Sequence, residues 1–403
     1  MNIERQLYVN KIKSFIGTEQ IKVITGIRRC GKSYLMDMIA KNLNVDANHI
    51  IKLSMEDLQN QQFTNTMACY NHILSQMPNE KAEKYYVFID EVQNINEWEK
   101  VVTSLRLKNA EIFITGSNSK LLSSELATLL AGRYIAFNLY TLSFAEYFNA
   151  IKTQNTNADK RQCLNYYIEF GSYPLILANN FTLEQAKTIL SDIFNSTILK
   201  DVIARNNIKD ETLLLNLINF LLKNTGNLIS TKKIVDYLVS TGTKTSTITI
   251  NAYINALEKA FIIERCPRYD IKGKEILKNI NKFYFADHSL IQLKGGSTLK
   301  YIAQIMENIV FNNLRSKGFN VYVGKLAENE VDFIAEQNGN KIYVQVCYSL
   351  LNEETFKREI EPLQKIHDNF PKYIVTMDAL ANGNENGIKI MHLADFLTIE
   401  NYF

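Results

Sequence analysis

One stretch, Gly26-Ile27-Arg28-Arg29-Cys30-Gly31-Lys32-Ser33, limits what this chain can fold into more than any other. It satisfies the spacing G-x-x-x-x-G-K-[ST] at every fixed position. Its flanks agree with it: Ile21–Thr25 is a short apolar run of β type, and residues 34–40 (YLMDMIA) read as a helix. Phosphate chemistry asks for that order. A strand delivers the loop, and glycines let the backbone close round phosphate oxygens with its N–H groups inward. The helix behind then presents its positive end. Gly26, Ile27, Arg28, Arg29, Cys30, Gly31, Lys32, Ser33 and Tyr34 are therefore the expected nucleotide-binding set. Lys32 would reach the β- and γ-phosphates of ATP, and the Ser33 hydroxyl would ligate Mg2+.

Such a loop needs an acidic partner on a second strand. Tyr85-Tyr86-Val87-Phe88-Ile89-Asp90-Glu91 supplies one. Asp90 would end a buried parallel strand, where ligands bind in sheets of this kind, and would hold Mg2+ directly or through water. Glu91, next along, would polarise the attacking water as general base. A third apolar run, Glu111-Ile112-Phe113-Ile114-Thr115-Gly116-Ser117-Asn118, ends in small polar residues. With runs at 49–54 and 134–140, strands alternate with helical stretches, among them 120–131, and predict a parallel α/β sheet. Trp98, in a helix packing back on that sheet, is expected in the core.

At 403 residues the chain is too long for one core, so two or three domains are expected. Its 46% hydrophobic and 22% charged residues are those of a soluble globular protein. A net charge of +3 gives no global argument for nucleic acid and leaves a local basic face open. No apolar run approaches membrane-spanning length, and residues 1–17 read as an amphipathic helix without a signal-peptide core. The five cysteines are scattered without a C-x-x-C pair, as are the histidines. A reducing cytoplasm and no zinc site are the expectation.

Residues 163–170, 183–190 and 193–204 have helical periodicity, with Gly171-Ser172-Tyr173-Pro174 as a turn. Helices then follow at 212–223, 231–239 and 246–260, and strands at 261–265 and 282–286. Arg268, Lys272, Lys274 and Lys278 fall in a basic loop between those strands. Three helices and a hairpin make the winged helix-turn-helix pattern. DNA would take the third helix in its groove and the wing on its phosphates. That helix is poor in Arg and Lys, so base-specific reading is unsupported, and a winged helix used for protein contacts fits equally.

After a linker at 294–297, residues 299–376 run helix, three strands, helix, strand. That is the order of the restriction-endonuclease-like core. Active members of that superfamily gather a helix Glu, a strand Asp and an E-x-K triplet round metal and water. Here Glu307 and Asp332 are in place, but Gln345-Val346-Cys347 stands where E-x-K should lie. Gln cannot be the anionic metal ligand and Cys cannot replace the ammonium, so a nuclease-like fold with no, or severely impaired, cleavage is expected.

Taken together, residues 23–33, 88–93, 115–119, 132–133, 142–144, 171–174, 283–287 and 330–333 resemble a family of bacterial and archaeal AAA+-type ATPases. Its members join a nucleotide-binding domain to a C-terminal region of uncharacterised function. The resemblance implies that Asn118, with Ser117 and Thr115 as alternatives, positions the hydrolytic water. It implies also that Arg133, before the fifth strand, is an arginine finger reaching a neighbouring subunit's nucleotide. The active form would then be a homo-oligomer. The expected fold is an α/β P-loop NTPase (AAA+-like) parallel sheet at 1–141 with a helical lid at 142–208. A winged helix-turn-helix (209–293) and a restriction-endonuclease-like α/β domain (294–403) follow. The expected function is Mg2+-dependent ATP hydrolysis by a DNA-associated motor or remodeller. A nucleotide-gated switch binding a protein partner is the alternative, and a metal-dependent nuclease a third.

Overall fold

The structure, a computed structural model, describes residues 3–80, 83–117, 130, 132–295, 298–380 and 382–403. Two compact units emerge, one of residues 4–140 and 259–261, the other of residues 1–3, 141–258 and 262–403. The four segments expected from the sequence divide the same chain more finely.

The first unit is built on five parallel strands: β1 (Ile21–Thr25), β2 (Ile50–Ser54), β3 (Tyr85–Asp90), β4 (Ala110–Gly116) and β5 (Tyr134–Asn138). Their order is β2-β3-β4-β1-β5. β1 and β4 are buried along their whole length, which is why they read as continuous apolar runs. Lys22 and Glu111 are the exceptions, a fully buried pair 2.6 Å apart on neighbouring strands. Burial pushes the Lys22 ammonium down in pKa, and Glu111 opposes that push. Glu111 also accepts the Gly17 N–H at 3.0 Å and faces Lys84 at 2.8 Å, so its charge is not left bare.

Register brings the functional ends together. Thr25 lies opposite Gly116, Ile89 opposite Ile114, and Ser54 opposite Asp90. Residues 26, 90–91 and 116–117 therefore leave the sheet along one edge, the carboxyl edge. The helix after β1 is Lys32–Lys41, two residues longer at its start than expected. The first helix is Gln6–Lys13, much shorter than residues 1–17, because turns follow from Ser14 and Gly17 has φ +88°. Trp98 packs, partly buried, against the core. Asn118 and, apart from Leu130, the residues of the helix expected at 120–131 lie outside the described residues.

In the second unit, helices Phe144–Gln154, Lys160–Phe170 and Pro174–Ala178 come first. Two helices expected at 183–190 and 193–204 are one: Leu183–Thr197 runs straight into a π-helical stretch, Ile198–Ala204. No Gly or Pro separates them, and the boundary signal is the Thr182/Gln185 capping box at the start of the first. Helices Glu211–Lys223, Thr231–Ser240 and Thr247–Lys259 lead to the hairpin β6 (Ile263–Asp270) and β7 (Glu275–Phe285).

This hairpin departs from expectation. The strands are far longer than 261–265 and 282–286, and the basic loop shrinks to residues 271–274. Arg268 and Lys278 belong to strands instead. Near the turn Arg268 and Asp270 flank Tyr269, which pairs across the ribbon with Ile276, and a bulge at Pro267/Arg268 takes up the proline. Six further strands follow: β8 (Asn320–Leu326), β9 (Asn329–Gln337), β10 (Asn340–Val346), β11 (Lys372–Thr376), β12 (Asn382–Glu385) and β13 (Ile388–His392). β6 pairs in parallel with β8, so hairpin and C-terminal strands share one eight-stranded sheet, β12-β13-β11-β10-β9-β8-β6-β7. Helices Ile302–Ser316 and Glu353–Gln364 pack on it.

Candidate functional site

At the carboxyl edge of the five-stranded sheet the backbone turns where only glycine fits. Gly26 has φ +149°, and a Cβ there would fall 2.2 Å from the Leu139 carbonyl oxygen. Gly31, at φ +100°, caps the helix Lys32–Lys41 without any side-chain acceptor, so the helix opens onto the loop with its amides free of a capping side chain. Lys32 is 6% exposed and folds back over the loop. Its Nζ donates to the carbonyls of Gly26 (3.2 Å) and Ile27 (3.3 Å) and stands 3.8 Å from Glu91 Oε1.

Two acids face this loop from β3. Ser33 Oγ donates to Asp90 Oδ2 at 2.7 Å, and Thr115 Oγ1 donates to Asp90 Oδ1. A hydroxyl and a carboxylate so close are hard oxygen donors that fit Mg2+. Glu91 sits at φ +52°, a strained conformation for a residue with a side chain. Thr115 accepts its N–H at 3.0 Å. Its Oε2 accepts from the Gln93 amide and from Ser117 N and Oγ, at 3.4 and 3.3 Å. Burial by itself would raise the Glu91 carboxyl. The Lys32 ammonium, the Gln93 amide and the Arg28 guanidinium outweigh it and hold it below its ordinary value.

The structure thus brings Gly26, Ile27, Gly31, Lys32, Ser33, Asp90, Glu91, Thr115 and Ser117 together. Arg28 stands 3.8 Å from Glu56, Arg29 takes φ +64°, and Tyr34 is exposed on the helix. The Cys30 thiol is buried, and burial pushes it up. Arg133 is exposed beside β5; its carbonyl accepts the Ile21 N–H at 2.9 Å. All five cysteines are buried free thiols.

Sequence reasoning missed Arg5. It is 2% exposed and donates to the Cys30 carbonyl (3.1 Å) and the Tyr140 carbonyl (2.8 Å), bracing the phosphate loop. A signal existed: Arg5 shares the spacing 5, 8, 9, 12 with the buried Tyr8, Val9 and Ile12.

In the second unit Glu307, Asp332 and Gln345 also meet, on helix Ile302–Ser316, β9 and β10. Between the two acids lies a residue not expected there, Lys282 of β7. Burial alone would lower Lys282, but Glu307, Asp332 and Glu330 outweigh it and hold the ammonium well above its ordinary value. Burial pushes Glu307 up to about 7; Lys282 pulls it down and Asp332 adds to the push. The available clue was that Lys282 and Tyr284 share one face at the apolar end of the strand, beside Phe283 and Phe285.

Comparison with known proteins places an AAA domain at residues 18–148 and a domain of unknown function, DUF8612, at residues 161–298. An uncharacterized protein of Haemophilus influenzae is 36% identical over 401 residues, covering 98% of both chains. One from Methanocaldococcus jannaschii is 33% identical over 366 residues, covering 86% of this chain and 78% of its own. Among solved structures, the Aeropyrum pernix ORC1 protein in complex with DNA is similar at 11% identity and a TM-score of 0.32, over 75% of this chain and 95% of that one. AMPPCP-bound DnaA from Aquifex aeolicus is similar at 16% identity and a TM-score of 0.32, over 64% and 88%. Among the described residues, no helix is long and apolar enough to cross a membrane.

Proposed function

The chain belongs to the family of these Haemophilus influenzae and Methanocaldococcus jannaschii proteins, with an AAA domain in its first third, and from that premise we propose that it binds and hydrolyses ATP with Mg2+. The observation that carries this reading is the meeting of Lys32, Ser33, Asp90 and Glu91 at one helix N-terminus. Lys32 and the loop amides bind phosphate oxygens. Ser33 and Asp90 would hold Mg2+, which supplies charge neutralisation on the phosphates when bound. Glu91, kept ionised by its neighbours, takes a proton from water, and Asn118 orients that water. Arg133, exposed as a finger must be, acts on a neighbouring subunit's nucleotide in a homo-oligomer. The helices 211–259 with the β6–β7 hairpin form a winged helix that meets DNA, so that turnover drives a motor or remodeller in the cytoplasm.

The test is steady-state ATP hydrolysis by wild type and Glu91→Gln, with and without DNA, at two salt concentrations. Loss of a general base lowers kcat by about 10²–10⁴. DNA stimulation that fades with salt supports the motor. Near-normal turnover in Glu91→Gln would refute the assigned base.

A second reading has its own support. Gln93 and Ser117 already occupy the outer oxygen of Glu91. A base engaged in this way suits a slow switch that waits for a protein partner, and hydrolysis indifferent to DNA would favour it.

A further inference from the structure

The metal of a restriction-endonuclease-like centre does not fit the residues this chain presents. Its carboxylates already hold a cation of the chain itself. Lys282 Nζ lies 2.9 Å from Glu330, 3.3 Å from Glu307 and 3.3 Å from Asp332. An ammonium has three N–H donors, and here each has a carboxylate to meet. Neutral donors also engage two of the acids, at the same oxygen of Glu307 that Lys282 meets and at the second oxygen of Asp332. Tyr284 donates to Glu307 at 3.0 Å, and the Val346 N–H to Asp332 at 2.9 Å. Gln345 accepts the Asp332 N–H at 3.2 Å and donates to Glu359 at 2.7 Å. Among the described residues, no three His, Cys, Asp or Glu side chains are arranged to hold a metal ion.

The centre is covered on one side as well. Gly226, in the turn after helix Glu211–Lys223, has φ +76°, and a Cβ there would fall 2.7 Å from Glu307 Oε2. Backbone therefore lies against the carboxylate. Ile229 exchanges both backbone hydrogen bonds with Asn281, at 2.9 and 3.0 Å, beside Lys282. On that side of Glu307 a phosphodiester would have to displace this turn.

We propose that the centre is a clasp and not a cleavage site: Lys282 is its resident cation, in the place a divalent ion would need, and it fastens the turn at 226–229 to the sheet. One buried ammonium faces three carboxylates. Without it, three acids crowd one place, and they either push apart or gather a divalent ion.

Mn2+ binding to the full chain without nucleotide, followed by electron paramagnetic resonance, tests this. Wild type, Asp332→Asn, Lys282→Met and the double variant Lys282→Met/Asp332→Asn are compared. Wild type and Asp332→Asn should bind alike, whatever the phosphate-loop region contributes. Lys282→Met should gain Mn2+ binding that the double variant lacks, with a lowered melting temperature that Mn2+ partly restores. Gly226→Ala should also melt lower. Asp332-dependent Mn2+ binding or DNA cleavage by wild type would overturn the clasp. So would a Lys282→Met protein that melts like wild type and gains no Mn2+. Should Lys282→Met fail to fold, wild type against Asp332→Asn still decides whether a metal site exists.

Discussion

Lys32 and Lys282 are both buried ammonium groups beside acids, yet they are held in opposite ways. Lys32 rests on two neutral carbonyls of its own loop, with Glu91 at 3.8 Å. Lys282 has three carboxylates within 3.3 Å. Neutral carbonyls are acceptors that charged phosphate oxygens can replace, since a phosphate adds ion–ion attraction to the hydrogen bond. Pulling Lys282 away would strand buried charge, which is far costlier. The same residue type is thus exchangeable in one unit and fixed in the other. A lysine near acids marks a ligand site only when its present partners are weak.

The largest effect should come from what completes the exchangeable site. If Arg133 acts in trans, Arg133→Ala lowers kcat by about 10³–10⁵. Mixing it with Lys32→Ala should restore some turnover, because one intact interface can form. No rescue with assembly intact would argue against a finger.

Next, the two lysines can be set directly against each other. Lys32→Ala should weaken nucleotide binding, read by a fluorescent analogue, by about ten- to a hundredfold, as expected for lost bonds to charged groups. Its melting temperature should barely move. Lys282→Met should do the reverse, with affinity kept and about 3–5 kcal/mol of stability lost, as when one partner of a buried pair is removed. Equal effects on both properties would break the comparison.

A smaller effect is expected at Gln93. Gln93→Ala removes one of the donors on Glu91 Oε2, leaving those of Ser117, and should raise basal turnover by up to about tenfold, the worth of one charged hydrogen bond. A fall would mean that Gln93 orients Glu91 productively.

The smallest is a pH dependence. Glu307 has a folded pKa of about 7, above its ordinary 4.5. A raised carboxyl favours folding while protonated, so its contribution is full below pH 4.5 and is lost as pH rises through about 7. Melting temperatures from pH 5 to 8 should therefore fall for wild type relative to Glu307→Gln. A constant gap would show that Glu307 does not titrate there.

Much of the first unit was legible because its chemistry is local. Strand, glycine loop and helix follow within residues 21–41, and the acids end the next apolar strand but one. In the second unit the strands β8 to β11 were legible from apolar runs, whereas the hairpin was misjudged. Charged residues in β6 and β7 look like a loop, and only pairing with each other and with β8 makes them strands. Arg5 escaped notice for a similar reason. Its partners are Cys30 and Tyr140, the latter 135 residues away.

By itself, then, the sequence determined the phosphate loop, the strand acids and the want of an E-x-K triplet. Each depends on neighbours along the chain, whose geometry the backbone fixes within a few residues. Tertiary structure alone decided that Lys282 would stand between Glu307 and Asp332, 25 and 50 residues away. Sheet order sets that meeting, and order is decided by which strands bury each other's faces, a sum over the whole unit that no short spacing records.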